Sequence, residues 1–430
     1  MRNTSFSELN LQPSIIQAIH EMGFEAPTPV QSSCIPGILE GKDLVGQAQT
    51  GTGKTAAFGI PAIQLADKGS KAPSVLILCP TRELAIQVTG ELIKLGRFTD
   101  GVFTVPVYGG QPITRQINAL KKGAQIVVGT PGRIIDHLKR GTLKLGALKL
   151  LVLDEADEML NMGFREDLET ILGYSKGTAQ TVMFSATIPK AIRNIMDRWM
   201  NKPEKITIEG PAQTAEGIEQ YVIEIRDSMR SEAIARIMDM RGYRLGLVFS
   251  NTKRECDNLV QEFQSRGFSA DALHGDMRQN VRDKVMDKFR NGQIELLIAT
   301  DVAARGLDVD DIDVVFNYDV PQDPEYYVHR IGRTGRAGRK GTAYTFSSGR
   351  RKKQIRFIEK IIRTKLKPAF MPSVKEVEIS RMENQLDDVI DTLQKGGLRT
   401  YIEMLETITE DGFSPIEIAA ALLKMRMEKG

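Results

Sequence analysis

Short, fully apolar runs alternate with amphipathic helical patterns through most of this chain, and the series occurs twice. Leu44-Val45, Val75-Leu76-Ile77-Leu78, Ile126-Val127-Val128, Leu150-Leu151-Val152-Leu153 and Val182-Met183-Phe184 form the first set. Runs without polar alternation suit strands covered on both faces, and helical stretches such as Arg82 to Leu95 lie between them. That order predicts a parallel sheet with helices on either side. Residues 210–217 break the pattern with small, polar and breaker residues and read as a linker. The series then resumes with Leu247-Val248-Phe249, Leu296-Leu297-Ile298, Val314-Val315-Phe316 and Ala343-Tyr344-Thr345-Phe346. The expected class is α/β, with tandem parallel-sheet domains over 1–209 and 218–367 and a small all-α module over 368–430.

Composition narrows the setting. Of 430 residues, 41% are apolar and 26% charged, which excludes a disordered or collagen-like chain. Cys34, Cys79 and Cys256 lie far apart without CxxC or His pairing. Neither a disulfide framework nor a zinc site is expected, and a reducing, cytoplasmic setting fits. Met1 to Ser5 opens no apolar leader segment, and no run approaches 18 apolar residues, so no membrane association is expected. The net charge of +3 by itself argues against a strongly basic nucleic-acid binder.

That charge is unevenly spread. Arg350 to Lys367 holds nine basic residues and one acid, a net of +8. Met371 to Gly430 holds seven basic and twelve acidic residues, a net of −5, which leaves residues 1–349 neutral. Within the acidic tail, Leu386, Val389, Ile390 and Leu393 follow a helical repeat, and Ile402, Leu405 and Ile408 suggest a second face beyond Gly396-Gly397. Ser414-Pro415-Ile416-Glu417 is a capping box that opens a third helix. About 60 residues in three helices make a small core, so the module is expected to complete itself against a partner. The competing expectation is a helical cap folded back on the second domain.

Two segments carry phosphate chemistry. Ala48-Gln49-Thr50-Gly51-Thr52-Gly53-Lys54-Thr55 joins a strand to a helical pattern, and backbone N–H groups of such a loop can encircle phosphate oxygens. Lys54 would reach the β- and γ-phosphates and the Thr55 hydroxyl would sit on Mg²⁺. The strict phosphate-loop pattern has Gly where this chain has Ala48. About 100 residues on, an apolar strand delivers Asp154-Glu155-Ala156-Asp157. One acid is needed to hold Mg²⁺, partly through water, and another to orient or deprotonate the attacking water. Asp154 is assigned the metal and Glu155 the water.

With these residues in place the chain, over about Phe6 to Phe346, closely resembles the DEAD-box RNA helicases, whose name is the run Asp154 to Asp157. In that family the loop commonly begins as this one does. The resemblance implies two RecA-like domains, ATP and Mg²⁺ as cofactors, RNA as partner, and local separation of short duplexes. Gly23 to Gln31 is similar to the family's adenine-reading segment. Phe24 offers a ring, Gln31 an amide with both donor and acceptor, and Phe6 matches the isolated upstream aromatic. Preference for ATP over GTP follows. His329-Arg330-Ile331-Gly332-Arg333-Thr334-Gly335-Arg336 resembles the arginine-finger motif, which implies that Arg333 and Arg336 reach the γ-phosphate and places His329 in the catalytic set. Asp301 and Asp308 match positions near His329 and the ribose. Ser185-Ala186-Thr187, with Asp301, resembles the elements that couple hydrolysis to RNA binding.

The resemblance also supplies RNA contacts: Arg82, Gly109-Gly110, Thr130 and Arg133 in the first half, and Asn251, Gly275, Arg282 and Thr300 in the second. Glycines, hydroxyls, helix N-termini and a few arginines grip phosphates and sugars without reading bases. A neutral core of this kind lacks a broad attractive field, so Arg350 to Lys367 is expected to supply most of the long-range attraction. The tail is similar to the dimerisation module of bacterial cold-shock-type members, which implies a homodimer through 371–430, and ribosome-assembly or RNA-decay proteins as partners. Family members often carry a further basic tail, and the sequence as given stops at Lys429-Gly430. A rival function, a nucleotide-controlled RNA clamp or assembly platform, uses the same motifs, whereas a DNA translocase would share the fold but is opposed by the adenine-reading segment and the Asp154 to Asp157 run. His20 and His137 are read as ordinary surface or core positions, Trp199 as an anchor at a helix end, and the scattered methionines as packing residues.

Overall fold

A computed structural model of the chain describes residues 5–48, 52–175, 179–208, 217–304, 309, 312–335, 340–410 and 412–428. The chain divides into two compact units, one built on residues 1–214 and the other on residues from 215 onward, apart from short segments at 277–283 and 302–309 that group with the first. Most of the expected linker, and Gln49, Thr50, Gly51, Asp308 and Arg336 among the expected site residues, lie outside the described residues.

The first unit holds a seven-stranded sheet made of β1 (Leu44–Gln47), β2 (Val75–Leu78), β3 (Thr104–Val107), β4 (Ile126–Gly129), β5 (Leu150–Leu153), β6 (Gln180–Ser185) and β7 (Glu204–Thr207). Its order is β3-β4-β2-β5-β6-β1-β7, with every pairing parallel. The second unit holds β8 (Ile218–Glu224), β9 (Gly246–Phe249), β10 (Ala270–Leu273), β11 (Leu296–Ala299), β12 (Val314–Asn317), β13 (Gly341–Ser347) and β14 (Lys367–Ala369). Its order, β10-β11-β9-β12-β13-β8-β14, repeats the first strand for strand. The expected apolar runs are the central strands of the two sheets, fully buried because helices cover both faces. In the first unit the two faces feed separate apolar cores, one with Val75 and Ile77, the other with Leu76 and Leu78.

Parallel strands end together, and here the ends carry the chemistry. The register pairs Leu78 with Leu153, Leu153 with Met183, and Gln47 with Ser185. The segments following β1 through β6 therefore emerge along one edge of the first sheet, the edge where open α/β sheets bind ligands. Strand β14 runs past residue 367, so the second sheet extends across the expected boundary with the helical module.

Beyond it stand the three expected helices, Val374–Lys395, Arg399–Glu410 and Pro415–Glu428. The first is anchored on the helix Arg230–Arg241 of the second unit. Arg381 pairs with Asp239 at 2.8 Å, and Ser380 donates to the Met240 carbonyl at 2.5 Å. Arg236 donates to the Pro372 carbonyl at 2.9 Å. Further along, Leu386, Val389, Ile390 and Leu393 are exposed, as are Tyr401, Ile402, Ile416 and Leu422. The first helix of the tail therefore folds back on the second unit, as the competing expectation had it, while these apolar side chains stay exposed. Among the described residues no helix is long and apolar enough to cross a membrane.

Candidate functional site

The phosphate loop leaves β1 and enters the helix Lys54–Leu65 through Gly53, whose φ of +91° is a left-handed conformation that glycine adopts without steric cost. A Cβ there would stand 2.5 Å from Gln31 Nε2. Gln31 is almost fully buried, and both ends of its amide are engaged. Its Oε1 accepts the Thr28 backbone N–H at 2.9 Å, and its Nε2 donates to the Gly53 carbonyl at 3.2 Å. The expected adenine reader is thus held against the phosphate loop, with one lone pair of Oε1 and one N–H of Nε2 still available to an adenine edge. Phe24 is half-buried, whereas Phe6 lies in the core at 3% exposure. The core packing of Phe6 means that it braces the upstream segment from within.

Lys54 and Asp154 are both buried, and Thr55 and Thr52 are half-buried. Burial pushes the Asp154 carboxyl up to about 7, opposed by the Lys54 ammonium and reinforced by Glu155. A buried carboxylate of this kind gains from a hard cation with oxygen ligands, so Thr55 and Asp154 fit Mg²⁺ by donor chemistry. Glu155 has φ +49° and ψ +53°, and is one of four non-glycine residues at positive φ among those described. A left-handed Glu costs on the order of 1 kcal/mol, a strain found preferentially at functional sites. The kink turns the chain between β5 and the helix Ala156–Asn161.

The fourth letter of the run has its own task. Asp157 Oδ2 accepts both the Thr187 backbone N–H (2.9 Å) and the Thr187 hydroxyl (3.0 Å). Ser185 Oγ donates to the Thr187 carbonyl at 2.6 Å, while the Ala48 N–H donates to the Ser185 carbonyl at 3.1 Å. Phosphate loop, acidic run and the 185–187 segment are therefore one hydrogen-bonded assembly. Sequence reasoning gave Asp157 no role, although its place in the run of acids was a signal.

The expected RNA residues of the first unit also gather. Gly110 (φ +88°) lies so close to Arg82 that a Cβ there would collide with the guanidinium. Arg133 Nη1 donates to the Gln111 carbonyl at 3.1 Å, and Thr130 N–H donates to the Val107 carbonyl at 3.1 Å. Burial holds the Arg82 guanidinium below its ordinary value, with Glu83 opposing and Arg282 and Arg133 adding to the shift. Two crowded cations beside an open glycine turn suit a phosphate backbone.

In the second unit the organiser is Arg330, which sequence reasoning passed over inside the arginine-rich motif. Its side chain is 1% exposed. It grips Asp301 with two bonds (2.5 and 2.8 Å) and donates to Asn251 Oδ1 (3.2 Å), Asn317 Oδ1 (3.3 Å) and the Asp319 carbonyl (2.7 Å). Asp319 Oδ2 accepts the Asn251 backbone N–H at 3.0 Å. Asn251 and Asp301 are thereby brought together. Thr252 caps the next helix, as Thr81 does at the equivalent turn of the first unit. Arg333 is buried, with Nε donating to the His329 carbonyl at 3.3 Å. His329 and Thr300 are half-buried, Gly275 is exposed, and Arg282 sits in the first turn of the helix Gln279–Arg290.

Comparison with known proteins gives the family. Residues 28–195 match the DEAD/DEAH box helicase family, residues 229–338 the helicase conserved C-terminal domain, and residues 372–430 the RNA helicase DeaD dimerization domain. The DEAD-box ATP-dependent RNA helicase CshA of Geobacillus kaustophilus is 46% identical over 98% of this chain and 90% of its own length. The ATP-dependent RNA helicase CshA of Listeria monocytogenes is 47% identical over 98% of this chain and 81% of its own. Among solved structures, S. cerevisiae Dbp5 bound to RNA and ADP BeF3 aligns with a TM-score of 0.77 at 29% identity, over 88% of this chain and 99% of that one. On the acidic run, the phosphate loop and these matches together, the chain belongs to the DEAD-box ATP-dependent RNA helicases.

Proposed function

We propose that this helicase couples ATP binding and hydrolysis to RNA binding and local separation of short duplexes. The observation that carries the reading is the bonded assembly of phosphate loop, Asp154 to Asp157 and Ser185 to Thr187. Any change at the phosphates is felt at Thr187 through Asp157, which gives hydrolysis a physical route toward the RNA-gripping turns on the same sheet edge. Bound Mg²⁺ would supply charge neutralisation at the phosphates, held by Thr55 and Asp154. Lys54 and the loop 49–53 hold the phosphate oxygens, Phe24 and Gln31 address adenine, and Asp308 the ribose. Glu155 orients the attacking water and takes its proton. Arg333 and Arg336 are assigned to the γ-phosphate, and His329 supports them. Arg82, Gly110, Thr130, Arg133, Asn251, Gly275, Arg282 and Thr300 grip the RNA backbone, while Ser185, Thr187 and Asp301 transmit. The Dbp5 relative, solved with RNA and ADP BeF3, supports a site for both ligands.

We read 371–430 as a homodimerisation module, supported by the match to a family model of that description and by its exposed apolar faces. RNA-dependent ATPase measured with ATP against GTP tests the main reading. A Glu155→Gln protein is expected to bind ATP and RNA normally while turnover falls by about 10² to 10⁴. Wild-type turnover in that protein would remove Glu155 from the role of base. Short-duplex unwinding separates a helicase from an RNA clamp.

A further inference from the structure

We propose that Gln116 and His137 are positioning residues which lock two RNA-gripping segments, the Gly109-Gly110 turn and Arg133, into one fixed relation. The inference rests on the assignment of those segments to RNA above. Gln116 lies in the helix Ile113–Lys122, 4% exposed, and His137 in the helix Pro131–Lys139, with no exposed surface.

Chemistry alone orients the amide. The Tyr108 carbonyl, next to the glycine turn, can only accept, so the Gln116 group 2.8 Å away is its Nε2 donor. The Arg133 guanidinium can only donate, so the atom 3.2 Å from Nη1 is Gln116 Oε1. That same oxygen stands 3.1 Å from His137 Nε2, which must then carry the ring proton. Nδ1 is left to accept from the Thr142 hydroxyl at 2.8 Å, whose single proton is shared with the more distant His137 carbonyl at 3.2 Å. A single buried carboxamide thus joins Tyr108, the residue after β3, to Arg133 in the first turn of the helix that follows β4, and the imidazole holds that carboxamide in place.

Ordinary core packing does not ask for this. A leucine would fill the position of Gln116 without the cost of satisfying the two polar atoms of a buried amide. What the polar arrangement adds is order. Arg133 Nη1 is pinned by two oxygens, from Gln111 and Gln116, before RNA arrives. A guanidinium already fixed loses less conformational entropy on gripping a phosphate. Asp136 stands 4.0 Å from Arg133 Nε but is taken at 2.7 Å by Arg140, so the amide oxygen, not a carboxylate, makes the close contact. The two amide contacts themselves bring no charge to Arg133, and its one carboxylate neighbour, Asp136, stays at the longer distance.

The test uses the full-length chain, a short single-stranded RNA oligonucleotide, and ATPase with RNA and ATP varied in turn. His137→Leu is expected to raise the RNA concentration for half-maximal activity about fivefold, the worth of one buried hydrogen bond, while the KM for ATP stays within about twofold. His137→Gln, whose amide nitrogen can reach the position of Nε2, should restore wild-type RNA dependence. Added to Arg133→Ala, His137→Leu should have little further effect, because the group it positions is gone. If His137→Leu does not fold, Gln116→Leu is read in the same way. Unchanged RNA half-saturation in a folded variant overturns the proposal. So does an effect that persists undiminished in the Arg133→Ala background, or one that His137→Gln does not repair. If Arg133→Ala alone leaves RNA dependence intact, the assignment of Arg133 to RNA fails, and this inference falls with it.

Discussion

Single residues here are set by partners far away in the chain. Glu155 stands in a left-handed conformation because the chain must turn sharply between β5 and the following helix. His137 is buried as a neutral ring, its pKa lowered by burial first and then by the Arg133 guanidinium, with Asp136 opposing. The sign of the resulting pH dependence follows from linkage. The unfolded chain, with His near 6.5, takes up a proton that the folded protein refuses. Stability is therefore unaffected at high pH, and it falls as pH drops below about 6.5 and through the folded value. The slope contributed by this one proton is at most about 1.4 kcal/mol per pH unit. In thermal unfolding of the full chain between pH 7 and 5, His137→Gln should lose that part of the decline; an identical decline would show that another group titrates. The sequence marked His137 only as an ordinary helical position, since nothing local announces that residues 116 and 142 will meet it.

Elements were legible to the degree that they bury both faces. Val75–Leu78 and Leu150–Leu153 read directly as strands because every residue is apolar. Thr104–Val107, Ala270–Leu273, Glu204–Thr207 and Lys367–Ala369 did not, for they lie at or near sheet edges and carry Thr, Asp, Lys or Pro. The three terminal helices were legible from apolar spacing and the Ser414 capping box, which the structure shows as a Glu417 N–H to Ser414 Oγ bond of 3.3 Å. Their exposed apolar rows make a prediction at this scale. Leu386→Asp combined with Leu393→Asp places charges on the open face of the helix Val374–Lys395, away from its anchor on the second unit. Light scattering of the full chain should then report the monomer mass, with RNA-free ATPase unchanged. A dimer mass in the variant would place the interface on another face.

At the scale of the molecule, charge and chemistry are separated. The 1–349 segment is neutral, and the basic stretch 350–367 follows it. Arg351 is committed to Asp319, Lys352 to Glu224 and Lys367 to Glu219. Lys353, Arg356, Lys360, Arg363 and Lys365 are exposed, with Phe357 and Ile361 among them. Replacing those five cations with Gln should flatten the salt dependence of RNA binding by about 0.7 in log–log slope for each one that neutralises a phosphate. The measurement is RNA affinity across a salt series, and an unchanged slope would return the electrostatics to the motifs.

The sequence alone determined the doubled α/β series, the phosphate loop and its acids, the helical tail and the family. Each of these is written in local spacing, which strand and helix periodicity translate directly into structure. Only the tertiary structure decided what those residues hold: Asp157 bound to Thr187, Gln31 bound to the loop, Arg330 tying Asp301 to Asn251, and Gln116 joining Tyr108 to Arg133. The reason is register. Parallel strands bring residues 20 to 140 positions apart to one edge, and which side chains meet there depends on where each strand stops, a fact that no local pattern records.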